Sequence, residues 1–219
     1  MAPVLRLYED TLSNLAEPAG LPPVPRIIFV VHGTATIGGS VVSDGEAWHG
    51  EAKATLTPGV GGVTAWRFEL APESTGDAPL LAVGIRSQLK LAARLDTLGE
   101  GELLMRGDSV GFPPGGCAYL HCHQGPGIRC LIEGGIRIDT EGRSTSYGPG
   151  GAWYESGPVP VFAQAAADRP SRFIRVLILP RTLLGKSSIQ YVNEDDKAKP
   201  KSQQYRVFVD APITCDPAD

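Results

Sequence analysis

The stretch GGCAYLHCHQGPGIRCLIEGG, residues 115–135, decides how this chain is read. In a strand, residues i and i+2 point to the same face. His121 and His123 therefore project together, and Cys122 projects the other way. Two imidazoles on one face can chelate a divalent metal, and imidazole suits Zn, Cu, Fe and Ni. The run that follows, Gly127 to Ile132, is apolar but for Arg129 and closes on Gly134.

Working outward, the same pattern recurs. RIIFVV (26–31), TATI (34–37), SVV (40–42), VTAWRFEL (63–70), IRI (136–138) and FIRVLIL (173–179) are short runs rich in Val, Ile and Phe, broken by Gly, Pro and Asp. They read as strands, and regular short strands with turns between them predict an all-β sandwich or barrel. Gly 27 and Pro 19 together make 46 of the 219 residues, 21% against a usual share of about 12%, which favours many turns and few long helices. Two helices are expected all the same: SQLKLAARLDTL (87–98) and a short one near 9–16. The polar segment NEDDKAKPK (193–201 with its neighbours) reads as a solvated loop of mixed charge, and YRVFV (205–209) as a late strand.

Charge excludes several partners. Twenty Lys and Arg against 24 Asp and Glu give a net charge of −4 and a pI of about 5.6, with no basic stripe. Nucleic acid and anionic membrane surfaces are poor partners on those grounds. No apolar run is long enough to span a bilayer, and the first residues lack the apolar core of a signal peptide. Cys117, Cys122, Cys130 and Cys215 match neither a C-x-x-C zinc pattern nor a dense disulfide framework, so a reduced, cytoplasmic chain is expected.

The sequence also repeats itself. Residues 27–50, IIFVVHGTATIGGSVVSDGEAWHG, and 128–156, IRCLIEGGIRIDTEGRSTSYGPGGAWYES, both run strand, Gly, strand, turn, then Gly-x-Ala-Trp. Gly33 pairs with Gly134, Gly45 with Gly150, and Trp48 with Trp153. Each copy then closes with a strand, 66–72 and 173–180. A repeat of this size predicts two similar β units.

Gly115, five residues, His121-Cys122-His123, and then Gly134 resemble the first motif of the cupin superfamily, G-x5-H-x-H followed by E-x6-G. GPGGAWYESGPVPVFAQ (148–164) resembles the outline of the second, anchored on Gly150 or on Gly157. The resemblance covers roughly 27–72 and 103–180. It implies double-stranded β-helix (jelly-roll) barrels in a bicupin-like chain: a degenerate N-terminal unit (1–86), a linker or helix (87–102), a C-terminal barrel (103–182) and a tail (183–219). Two departures stand out. The motif Glu falls at Gly127 or Ile128, and the second motif's His at Pro160 or Val161, so half of the usual ligand set is absent.

What the resemblance implies is one divalent metal (Fe, Mn, Ni, Cu or Zn) on His121 and His123. Glu155 is the candidate third ligand or acid/base, with Tyr154 beside it; the alternative is a solvated turn residue. Arg129 grips a carboxylate substrate if it faces the cavity, but apolar Ile128, Cys130 and Ile132 argue for the other face. Gln164 holds substrate or is a strand end. Cys117 and Cys130 read as small buried hydrophobes. GDSVG around Ser109 fits a hydrolase pattern, but FPPGG follows where that elbow needs a helix. His32 and His49 read as turn or surface residues. Two functions follow: a metal-dependent cupin enzyme (dioxygenase, isomerase or lyase) acting on a small molecule, or a non-catalytic cupin that binds a small ligand or serves a structural role. The late strand at 205–209 suits pairing into a homodimer.

Overall fold

The structure, a computed structural model, describes residues 2–99 and 101–214; Cys215 lies outside them. The chain divides into two units. One reaches to Asp96 and takes in the residues from Ala211, and the other spans Thr97–Asp210. The first contains β1 (Pro3–Leu12), β2 (Ala19–Leu21), β3 (Arg26–Ile37), β4 (Ser40–Ser43), β5 (Ala47–Gly50), β6 (Ala54–Pro72) and β7 (Ile85–Arg94). The second contains β8 (Leu103–Phe112), β9 (Cys117–His123), β10 (Gly127–Glu133), β11 (Ile136–Thr140), β12 (Arg143–Tyr147), β13 (Ala152–Glu155) and β14 (Val161–Ala165). Then come β15 (Ser171–Pro180), β16 (Ile189–Tyr191), the short helix α1 (Glu194–Ala198) and most of β17 (Gln204–Ile213). The runs read as strands are all strands, because β-branched and aromatic side chains pack well on a pleated surface. Among the described residues no helix is long and apolar enough to cross a membrane.

The second unit is a pair of five-stranded sheets, ordered β13-β10-β15-β8-β17 and β12-β11-β14-β9-β16. Their inner faces share one core. Val110, Phe112, Leu131, Trp153 and Phe173 come from the first sheet, and Ala118, Ile136, Ile138, Val161, Ala163 and Ala165 from the second. This is a jelly-roll barrel. The first unit is one seven-stranded sheet, ordered β4-β3-β6-β1-β7, with β2 on β6 and β5 on β3. Register shifts on β3 near Val30–His32 and Gly33–Ala35 interrupt its ladder with β6, and such shifts bend a strand. Its apolar core, Leu12, Ile28, Val30, Ile37, Leu56, Val63 and Ala65 among others, lies below a buried charged row. There Arg67 sits 2.6 Å from Asp10, with Glu69 and Arg26 alongside.

The repeat holds at the level of single hydrogen bonds. In the first copy Gly45 N donates to Val30 O and Val30 N to Glu46 O, both at 2.9 Å. In the second, Gly150 N donates to Leu131 O at 2.7 Å and Leu131 N to Gly151 O at 2.9 Å. Trp48 faces Ile28 across β5–β3, and Trp153 faces Arg129 across β13–β10. Gly33 (φ 88°), within β3, and Gly134 (φ 80°), between β10 and β11, adopt the same left-handed backbone, and each lies hard against neighbouring backbone. A Cβ at these positions would stand 2.2 Å from Gly62 O and 2.3 Å from Pro170 O.

Several expectations need correction. Residues 87–98 are not helical: Ile85–Arg94 is a strand in antiparallel register with β1. Its Leu, Ala, Lys and Arg favour helix in isolation, but pairing with the free edge of β1 overrides that weak preference. The helix expected near 9–16 is likewise absent, since β1 continues to Leu12 between β6 and β7. The polar segment near 193–201 holds the five-residue α1. Ser109 lies mid-strand in β8, opposite Ile174, and not on a nucleophile turn. The late strand is present as expected: β17 pairs with β8 and forms the edge of its sheet.

Candidate functional site

The site lies inside the second unit, and a bulge aims its histidines. Across β14–β9, Val161 faces His121 and Ala163 faces Ala118, so β9 holds one residue more than its partner. Bulges of this kind re-aim side chains. Here Ala118, His121 and His123 all turn inward and are buried. The displaced Tyr119 carbonyl accepts a hydrogen bond from His121 Nδ1 at 2.7 Å. That bond leaves the lone pair of His121 on Nε2. The two rings meet edge to face with centroids 4.9 Å apart.

Opposite them, β10 supplies Arg129 and β13 supplies Trp153 and Glu155. Gly127 stands at a position open to the missing motif Glu, and no side chain fits there: a Cβ would lie 2.3 Å from Val176 O. Glu155 is its cross-strand partner on β13. Trp153, stacked on Tyr147 and edge-on to Phe173, donates its indole N–H to Glu155 Oε1 at 2.9 Å. Arg129, 1% exposed, places Nη2 2.7 Å from Glu155 Oε2 and donates from Nη1 to Gly127 O at 2.7 Å. The Nη2–Oε2 contact falls short of hydrogen-bond angles and is an ion pair by distance and charge. His123 Nε2 lies 3.6 Å from the same Oε2, and its Nδ1 is buried without a hydrogen-bond partner. Thus Arg129 faces the cavity. The alternation of Ile128 and Cys130 misleads because β10 is buried on both faces from Gly127 to Leu131.

A second ion pair extends this row. Arg175 is the cross-strand neighbour of both Arg129 and Asp108. It donates to the Asp108 carboxylate from Nε at 2.9 Å and from Nη2 at 2.6 Å. Like charges facing each other across a ladder repel, and here each guanidinium has its own carboxylate. Burial works against the charge of Arg175, and Asp108 overcomes it and raises the pKa. Burial lowers that of Arg129 to about 10 despite Glu155, still cationic at neutral pH. Burial holds His121 below the ordinary histidine value, and holds His123 well below it with the two guanidiniums adding to the effect. Both imidazoles are neutral.

Two cavities meet here. The inner one is lined by His121, His123, Arg129, Glu155, Trp153 and Phe173 among others, and its volume of about 20 Å³ suits a water or a bare ion rather than an organic molecule. An outer cavity of about 480 Å³ shares Arg175, Gln203 and Tyr205 with it and adds Arg106, Lys186, Tyr191 and Lys201. That volume falls in the range of small-molecule sites. Arg106 is held by Asp210 at 2.9 Å, and Lys201 reaches the carbonyls of α1 and lies over the Tyr191 ring. Neither end of the Gln203 amide makes a well-formed hydrogen bond although both are buried; its contact with the Tyr191 hydroxyl opposes the burial that raises that phenol's pKa. A larger, open groove of about 690 Å³, lined by Arg137, Asp139, Arg143 and Phe162 among others, lacks such buried polar groups.

The structure thus brings His121, His123, Arg129 and Glu155 together. It leaves out Tyr154, which lies opposite Ile128 with parity contrary to Trp153 and Glu155. It also leaves out Gln164, whose amide N–H groups tie down the Gly115 and Gly116 carbonyls. His49 lies half-buried on β5 rather than at the surface, while His32 is exposed. Asp108, Arg175, Gln203 and Tyr205 were not foreseen; lone charges inside the apolar runs of β8 and β15 are the signal for the first two. As arranged, these residues do not fit a divalent metal. Among the described residues no group of three His, Cys, Asp or Glu could hold one, and the carboxylate nearest the histidines is paired with a guanidinium.

No family model and no curated protein sequence matches the chain. Solved structures do. A variant of oxalate decarboxylase from Bacillus subtilis is similar with a TM-score of 0.62 and 13% identity, over 89% of this chain and 73% of that one. A variant of salicylate 1,2-dioxygenase from Pseudoaminobacter salicylatoxidans, in complex with gentisate, gives 0.55 and 13%, over 80% and 69%. A cupin 2 conserved barrel domain protein from Leptotrichia buccalis gives 0.49 and 12%, over 81% and 84%. At such identities the likeness is one of fold, the cupin-type jelly-roll barrel.

Proposed function

We propose that the second unit binds a small organic anion in the outer cavity and presents it to the neutral histidine pair behind. The observation that carries this reading is the cavity itself. It has ligand size, and it holds four cationic side chains (Arg106, Arg175, Lys186, Lys201) against two carboxylates (Asp108, Asp210). Buried amides without partners cost free energy, so Gln203 favours a ligand that both accepts and donates. Tyr191, Tyr205 and Ile189 supply an apolar wall. The test compares carboxylates with their neutral amides (acetate with acetamide, oxalate with oxamide, benzoate with benzamide) by thermal shift and calorimetry. At least one carboxylate is expected to bind better than its amide, and Gln203→Leu to weaken it by about tenfold, the worth of one hydrogen bond. Equal binding of acid and amide, or none, overturns the proposal.

A metal-dependent cupin enzyme is the second reading. The His121 Nδ1 bond to Tyr119 supports it, because metal-ligating histidines generally donate their other ring N–H in this way. About one equivalent of Fe, Mn, Ni, Cu or Zn in the purified protein, lost in the His121→Ala/His123→Ala double variant, would favour it.

A further inference from the structure

We infer that Arg129 takes the place of a metal cation, so that the His121–His123–Glu155 group is a latent metal site closed by an internal counter-ion. The group as a whole is not set for a metal, but one of its spacings is that of a ligand pair. Two atoms bound to one ion through bonds of about 2.1 Å at a tetrahedral angle lie about 3.4 Å apart, and His123 Nε2 and Glu155 Oε2 are 3.6 Å apart. What closes the group is charge. The guanidinium meets Oε2 at 2.7 Å and is anchored on its own strand through the Gly127 carbonyl. The other acid near it, Asp108, is taken up at both oxygens by Arg175. A divalent ion on Glu155 would face that fixed positive charge within a few ångströms, in a site with almost no solvent to screen it. Gly127 belongs to the same arrangement: β15 leaves no room for a side chain there, and the carboxylate that meets Arg129 comes from Glu155 across the ladder. In the first unit the corresponding positions are Ile28 and Gly50, across from Trp48 and Arg26, so the device belongs to the second unit alone.

This inference does not rest on the anion proposed for the outer cavity, since metal uptake and carboxylate binding are read separately. The experiment measures Co²⁺ and Zn²⁺ uptake by equilibrium dialysis, with visible absorption of Co²⁺ as the signature of nitrogen and oxygen ligation. Wild type and Arg129→Lys, which keeps the charge, are expected to take up little of either ion. Arg129→Met is expected to bind about 100-fold or more tightly, the scale of removing a nearby like charge. The Arg129→Met/Glu155→Gln double variant is expected to lose that gain. Close to one equivalent bound by wild type, and lost with His121→Ala/His123→Ala, overturns the inference even if Arg129→Met fails to fold. So does a folded Arg129→Met that binds no better than wild type.

Discussion

Replacing Asp108 with Asn tests the energetics of the barrel interior most directly. The change keeps shape and removes the charge that faces Arg175. Both side chains are nearly solvent-free, at 8% and 3% exposed, and share two charge-assisted hydrogen bonds. Removing one partner of a buried pair costs about 3–5 kcal/mol, mostly for leaving the other charge uncompensated. The neighbouring charge on Arg129, directly across the β10–β15 ladder, places this site at the upper end of that range. For a unit of this size about 4 °C of melting temperature is lost per kcal/mol, so the midpoint is expected to fall by about 20 °C. Thermal melts followed by circular dichroism at pH 7 read this out. The Asp108→Asn/Arg175→Met double variant should recover most of the loss, because a buried pair exchanged for neutral groups of similar shape is close to neutral in stability. Asp168→Asn, which breaks an exposed pair with Arg169, should leave the midpoint where it is. Benzoate or oxalate should stabilise Asp108→Asn more than wild type, by offering Arg175 a new counter-ion from the outer cavity. If Asp108→Asn melts within about 2 °C of wild type, the buried row is not held as argued.

Gly134→Ala and Gly33→Ala should each cost about 3 kcal/mol or more, because strain at positive φ adds to a clash with a neighbouring carbonyl; Gly39→Ala, at φ 86° in open space, should cost only about 1 kcal/mol by chemical denaturation. Trp153→Phe should cost about 1–3 kcal/mol, since Glu155 Oε1 loses its indole donor, with the change visible in near-ultraviolet circular dichroism. Acidification should destabilise the fold from about pH 6.5 downward. His49, His121 and His123 are held below the ordinary value by burial, so the unfolded chain binds their protons first; each proton contributes a slope of about 1.4 kcal/mol per pH unit, which ends once the folded-state pKa is passed. A urea-denaturation series between pH 8 and pH 5 with a flat midpoint would contradict that assignment.

Much of the fold could be read from local pattern alone. Runs such as RIIFVV and FIRVLIL are short, apolar and rich in β-branched residues as buried strands are, and the Gly-x-Ala-Trp repeat marks two copies of one unit because turn glycines and packed tryptophans have local requirements. The shared face of His121 and His123 follows from the two-residue period of a strand. Other features depend on partners distant in sequence. Strand β7 is built of helix formers and becomes a strand only because β1 offers it an edge. The inward turn of Arg129 was hidden because β10 is buried on both faces, so apolar alternation carries no direction. Glu155 acquires its role from lying across from Gly127. The outer cavity joins Arg106 to Asp210 across 104 residues and brings Gln203 and Tyr205 beside them. Local propensity and periodicity act within a few residues and are written in the sequence. Which charge meets which carboxylate, and so whether two histidines face a metal or a guanidinium, is decided only when the barrel closes and burial makes each unpaired charge too costly to leave.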